Sequence, residues 1–159
     1  MLYLKVYVVG VVLVPHLQYV VYVRAWYDAN TFAIYTTDGL ETDSSSPELS
    51  RAAKVTELQS VSVHKDIDFQ TSASSVTVSW RGVFRDSQAS IQRYIVSVSK
   101  TLGGRDTAEK ELTLSATLTT LGGLSLDTND VYYSTVVAYN EAGLFRAAYS
   151  DGFKVRRML

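Results

Sequence analysis

Cysteine is absent from this chain, and proline and histidine occur only twice each. Without cysteine there is no disulfide framework and no thiolate zinc site. That does not exclude an extracellular setting, because a domain of roughly 100 residues can hold a core without cross-links. The two histidines, His16 and His64, stand apart with no nucleophile motif beside them, and no G-x-S-x-G occurs. Acyl-transfer chemistry therefore has no assembled candidate, and both histidines read as loop or edge residues. An excess of one charge is missing too: 15 basic against 16 acidic residues leave a net charge of −1. Nothing electrostatic points to nucleic acid or an anionic membrane. The basic cluster Lys154, Arg156 and Arg157 reads as solvated charge. The apolar stretch Val6–Val14 is too short for a bilayer span, which needs about 20 residues. It follows Lys5 as the core of a signal peptide would. However, Pro15, His16 and Leu17 stand where small residues should mark cleavage, and the β-branched content favours a strand.

What is present is material for a β core. Apolar residues make up 47% of the 159 positions and charged residues 19%, which rules against disorder. The length allows one domain, or one domain and a fragment of another. Eleven tyrosines and abundant Val, Thr and Ser favour strands.

The chain repeats itself without gaps at an offset of 113 positions. Ala25 corresponds to Ala138, Leu13 to Leu126, Tyr19 to Tyr132, Val23 to Val136, Phe32 to Phe145, and Asp38-Gly39 to Asp151-Gly152. Between the copies, Thr42–Ser50 is polar and carries a proline, as an inter-module linker does. The expected organisation is residues 1–41 as the closing strands of a first module, 42–53 as linker, and 54–155 as a complete second module.

The second copy reads as about seven short strands. The first lies near Val55–Val63. In Ser75–Trp80, Val76, Val78 and Trp80 share one face, and in Ile91–Val98, Tyr94, Val96 and Val98 do. Gly103-Gly104 suits a turn. Glu111–Leu121 holds one or two strands, and Val131–Asn140 and Leu144–Phe153 are joined by a turn through Gly143. The expected fold is all-β, an antiparallel two-sheet immunoglobulin-like sandwich preceded by a partial sandwich. No stretch of useful length has helical periodicity.

These residues resemble the fibronectin type III family, which shows L-x-P-x-T-x-Y-x-V-x-V-x-A-x-N-x-x-G across its sixth strand. Leu126, Tyr132, Val136, Ala138, Asn140 and Gly143 fall at those places in the second copy, and Leu13, Pro15, Tyr19, Val21, Val23 and Ala25 in the first. Trp80 matches the family's tryptophan at the end of its second strand, and Tyr94 the tyrosine of its third. Thr128, Asp130 and Ser134 replace the usual Pro, Thr and Val. The resemblance implies that Trp80, Tyr94, Leu126, Tyr132, Val136 and Ala138 are core residues. Tyr132 would return its hydroxyl to nearby backbone, as in a tyrosine corner.

Candidate chemistry is sparse. Asp66 and Asp68 flank Ile67 on one face of a strand and could offer oxygen to Ca²⁺, but there is no EF-hand-like spacing, and solvated strand-edge acids are the preferred reading. Asp86 reads as a turn cap. Gly103-Gly104 and Gly122-Gly123 lack the strand–loop–helix setting of a phosphate loop. Tyr133, Tyr139 and Tyr149 fall on an outer sheet face, where they could serve binding or simply pair across strands. No Arg-Gly-Asp, W-S-x-W-S or N-x-S/T occurs. The expectation is a protein that is not an enzyme, with no cofactor and no metal. It would be an extracellular module, or part of a membrane protein's ectodomain, acting as spacer and adhesion surface. Its partners would be other proteins and neighbouring repeats. The alternatives are an accessory domain of a secreted carbohydrate-active enzyme or protease, or a receptor ectodomain module. The parent protein is expected to extend in both directions. Residues 1–41 are expected to form a loose hairpin or stay poorly ordered.

Overall fold

Alternating Val, Thr and Tyr segments, broken by Asp-, Gly- and Ser-rich turns, leave the backbone few options other than pleated strands. The computed structural model describes residues 9–15 and 17–156, and no helix occurs among them. His16, Arg157 and the start of Val6–Val14 lie outside the described residues. The chain divides into two compact units, one ending at Ser44 and one starting at Ser45.

The first unit holds β1 (Gln18–Tyr19), β2 (Tyr22–Trp26), β3 (Phe32–Thr36) and β4 (Leu40–Glu41). β2 and β3 form an antiparallel hairpin, and β1 pairs with β4 below it. Asp28 closes the hairpin turn, its Oδ1 accepting the Asn30 and Thr31 N–H groups at 2.8 Å each. Those backbone bonds hold its carboxyl below the usual range. Val21, Val23, Ile34, Tyr35 and Leu40 are all exposed.

The second unit holds twelve further strands. In chain order they are β5 (Glu48–Leu49), β6 (Thr56–Ser60), β7 (Val63–Asp66), β8 (Phe69–Gln70), β9 (Ser75–Ser79) and β10 (Phe84–Arg85). There follow β11 (Ile91–Ser99), β12 (Ala108–Thr113), β13 (Leu118–Gly122), β14 (Val131–Asn140), β15 (Phe145–Tyr149) and β16 (Phe153–Val155). One sheet runs β13-β9-β6-β7. The other runs β12-β11-β14-β16-β8, with β15 also on β14. Pairing is antiparallel except for β8, which lies parallel to β16. Trp80, Val76 and Val78 from one sheet pack with Tyr94, Val96, Val98, Tyr132, Val136 and Ala138 from the other, and Leu121, Leu126 and Phe153 join the same buried cluster. The Trp80 and Tyr94 rings are tilted at 5.3 Å, and Tyr132 and Phe153 at 5.8 Å. Tilted rings at such separations add to the burial of area.

The sequence repeat is also a repeat of pairing. Tyr22↔Thr36, Val23↔Tyr35, Ala25↔Ala33 and Trp26↔Phe32 in β2–β3 recur at the same offset as Thr135↔Tyr149, Val136↔Ala148, Ala138↔Arg146 and Tyr139↔Phe145 in β14–β15. Gln18↔Glu41 and Tyr19↔Leu40 recur as Val131↔Lys154 and Tyr132↔Phe153. The Tyr132 hydroxyl accepts the Asp127 N–H at 2.8 Å, and the Tyr19 hydroxyl accepts the Val14 N–H at 2.6 Å.

Three elements differ from the sequence reading. First, the linker expected at 42–53 is absorbed into the second unit from Ser45 onward. β5 pairs with β10, Pro47 is buried, the Asn140 amide donates to the Ser45 carbonyl at 3.1 Å, and Arg146 Nε donates to the Pro47 carbonyl at 3.2 Å. A polar segment can cover a sheet edge when its backbone groups find partners there, which composition does not reveal. Second, Leu144–Phe153 is two strands. Gly152 takes φ +96° and kinks the chain, so β16 pairs farther down β14. Third, the opening strand becomes β6 and β7, a hairpin with an irregular register, and β8 then crosses to the other sheet.

Candidate functional site

The outer face of the β11–β14–β15 sheet is the first place where side chains gather. Alternation along β14 turns Tyr132, Ser134, Val136 and Ala138 inward and Tyr133, Thr135, Val137 and Tyr139 outward. Tyr139 meets Phe145 across the strands at 5.4 Å, and the Arg93 guanidinium lies 4.0 Å from the Tyr139 ring centre. Glu111 steadies that arginine at 3.3 Å. Phe145 is 58% exposed and Tyr149 46%, while Tyr133 and Tyr139 are half-buried. The three tyrosines singled out from the sequence share this face, but it is Phe145 that joins Tyr139 in contact. The signal for Phe145 was in the repeat: its counterpart Phe32 meets Trp26 at 4.8 Å, with the Arg24 guanidinium 4.5 Å from the Phe32 ring. At the other end of the face, the Ser97 hydroxyl donates to the Gly104 carbonyl at 3.0 Å. This folds the 100–106 loop back against the sheet, toward Tyr149.

The second gathering is acidic. β6 places Glu57 in register with core residue Val78, and so at an inward position. Glu57 is fully buried, and neither of its carboxylate oxygens has a hydrogen-bond partner. Burial pushes its pKa up to about 7. The Ser134 and Ser150 hydroxyls beside it offset part of that rise, yet neither meets it in a hydrogen bond of proper geometry. Ser134 Oγ is itself buried without a partner. Asp66 from β7 and Asp151 from the β15–β16 kink complete the group, with one oxygen of each of the three acids within 4.8 Å of the others. Asp66 is raised too, by burial and then by the charge of Asp151. Asp66 Oδ1 accepts the Glu57 N–H at 3.2 Å.

Among the described residues, no lysine, arginine or histidine forms an ion pair with any of these three acids. Asp68, considered beside Asp66 from the sequence, is not in the group; its carbonyl accepts the Lys154 N–H at 2.9 Å. The sequence reading missed Glu57 because a charged residue in a strand reads as solvent-facing. The available signals were Ser134 at a usual valine position and Asp151 beside Gly152.

The remaining candidates do local work. Asp86 caps its turn, Oδ1 accepting the Gln88 and Ala89 N–H groups at 3.0 Å, and Asn140 donates to Oδ2 at 3.1 Å. His64 is exposed on β7. A cleft of about 360 Å³ lies beside β8 and β9, lined by Phe69, Gln70, Thr77 and Arg156. Its polar groups already serve the protein: Gln70 Nε2 donates to the Ser72 and Ser75 carbonyls, and Arg156 stacks over Phe69. Comparison with known protein families and with curated proteins finds no match to this chain.

Proposed function

We propose that this chain is a stretch of an array of fibronectin type III modules, non-catalytic and extracellular, that spaces its neighbours and binds other proteins. The observation that carries the reading is the hairpin shared by the two units. Its register, its tyrosine hydroxyl bond and its Asp-Gly kink all recur at one offset. Recurrence at that level is what tandem copies of one module produce. The strand order β13-β9-β6 facing β12-β11-β14-β15 is in keeping with that family. The surface for partners is the outer face of β14 and β15, where Phe145 and Tyr149 expose rigid aromatic area that costs little entropy to bury.

The test is a binding screen of the chain against secreted and cell-surface proteins, repeated with a Phe145→Ser/Tyr149→Ser variant whose urea midpoint is unchanged. Specific binding that falls at least about tenfold in the variant supports the reading, a loss of about 1.4 kcal/mol. Binding indifferent to the variant would remove this face from the proposal. Reproducible turnover in a hydrolase panel would overturn the non-catalytic assignment.

A further inference from the structure

A fully buried carboxylate with two further acids beside it and no basic ion-pair partner among the described residues is costly to keep charged. Glu57 is at an inward position, with both oxygens buried and unpartnered. Ser134 Oγ, on the facing sheet, is a second buried and unpartnered oxygen beside it, independent of the acids. We propose that Glu57, Asp66 and Asp151, with the Ser134 hydroxyl, form a Ca²⁺ site that ties the β6–β7 hairpin to the β15–β16 kink.

The donor chemistry selects the ion. All the donors are oxygen, with no imidazole or thiolate in the group, which favours a hard cation over zinc or copper. Donor oxygens all within 4.8 Å of one another lie in reach of a single cation. Magnesium demands near-ideal octahedral geometry and gives up its waters reluctantly, which suits this mixed set of protein oxygens less well. Calcium also tolerates an irregular mix of carboxylate, hydroxyl and water ligands, and Asp66 and Asp151 are exposed enough to admit the waters that complete its shell.

The backbone holds the group in place. Asp66 is anchored by the Glu57 N–H, and the Ser134 N–H donates to Ser150 Oγ at 2.9 Å, which fixes the residue before Asp151. Gly152 sets the direction of Asp151. It has φ +96°, and a Cβ there would meet the Tyr133 ring at 2.9 Å and the Tyr132 carbonyl at 3.1 Å. The first unit keeps the backbone part of this device, the Val21 N–H donating to Thr37 Oγ1 at 3.1 Å ahead of Asp38-Gly39. It has Val21 where the second unit has Ser134, so the oxygen donor belongs to the second unit alone.

The full chain, stripped with a chelator, would be titrated with CaCl₂ and with MgCl₂ and followed by isothermal calorimetry and thermal unfolding. The same measurements would be made on Glu57→Gln and Asp151→Asn. One Ca²⁺ should bind per chain with a Kd of about 10⁻⁴–10⁻³ M or tighter, and unfolding should shift upward with calcium. Asp151→Asn should weaken binding at least about tenfold, and Glu57→Gln should abolish both heat and shift while remaining folded. Asp151 is exposed, so its variant keeps the test decisive if the Glu57 variant does not fold. Terbium luminescence excited through the neighbouring Tyr133 gives an independent readout and should be quenched by calcium. No calcium-dependent heat or shift in the wild-type chain, or one equally large in Asp151→Asn, would overturn the site. An equal response to magnesium would overturn the choice of ion.

Discussion

At the scale of single residues, the core depends on a few large buried side chains. Tyr132 buries its ring and accepts the Asp127 N–H. Tyr132→Phe leaves that N–H unpaired and should cost about 1–2 kcal/mol, read as a lower urea midpoint at unchanged slope; an unchanged midpoint would refute the role. Trp80→Ala empties the space between the sheets and should cost about 3–5 kcal/mol. Glu57 makes stability depend on pH in the metal-free protein. Its pKa is about 7 when folded against 4.5 for an exposed glutamate. Between those values the folded chain holds a proton that the unfolded chain has lost. This contribution is therefore whole below about pH 4.5 and is lost as pH rises through 7, a decline of about 3 kcal/mol. Urea denaturation in chelator at several pH values should show that decline, and Glu57→Gln should flatten it. The roles of Trp80 and Tyr132 were legible because large aromatics at inward positions have one use. Glu57 was not, because a charge within a strand is assigned to solvent unless the facing sheet is known.

At the scale of elements, the two closing hairpins follow from local pattern and the edges do not. Val131–Asn140 alternates and Gly143 turns with φ +79°, so β14 and β15 were readable in advance. The break before β16 depends on one glycine amid strand-forming neighbours. Gly152→Ala combines a strained φ with contact against Tyr132 and Tyr133, and should cost more than about 1 kcal/mol. A fall in thermal midpoint of several degrees would show this, whereas an unchanged midpoint would mean the kink relaxes freely. β5 is the opposite case. The segment from Ser45 looked like a linker because it is polar, yet its backbone groups are used by Val83, Asn140 and Arg146. A fragment covering 45–159 should therefore unfold at a higher urea concentration than one covering 54–159. Equal midpoints would show that β5 rests on the sheet without supporting it.

At the scale of the whole molecule, the two units differ in what they bury. The second has a continuous core from Val55 to Val155, while the large apolar side chains of β2 and β3 in the first are exposed. Free energy of local opening follows buried apolar contact, so amide exchange should be faster through β2 and β3 than through β11 and β14. Limited proteolysis should cut on the N-terminal side of Ser45 and leave the second unit whole. Protection of β2 equal to that of β14 would contradict this.

The sequence by itself determined the all-β class, the repeat and the inward residues of the central strands, because period-two alternation and turn chemistry are local properties. Only the tertiary structure decided how the edges close and where oxygen donors converge. Glu57, Asp66, Ser134 and Asp151 come from four separate segments, and each is unremarkable alone. Their meeting depends on how one sheet lies over the other and on a single kink at Gly152, which are properties of packing rather than of any stretch of chain.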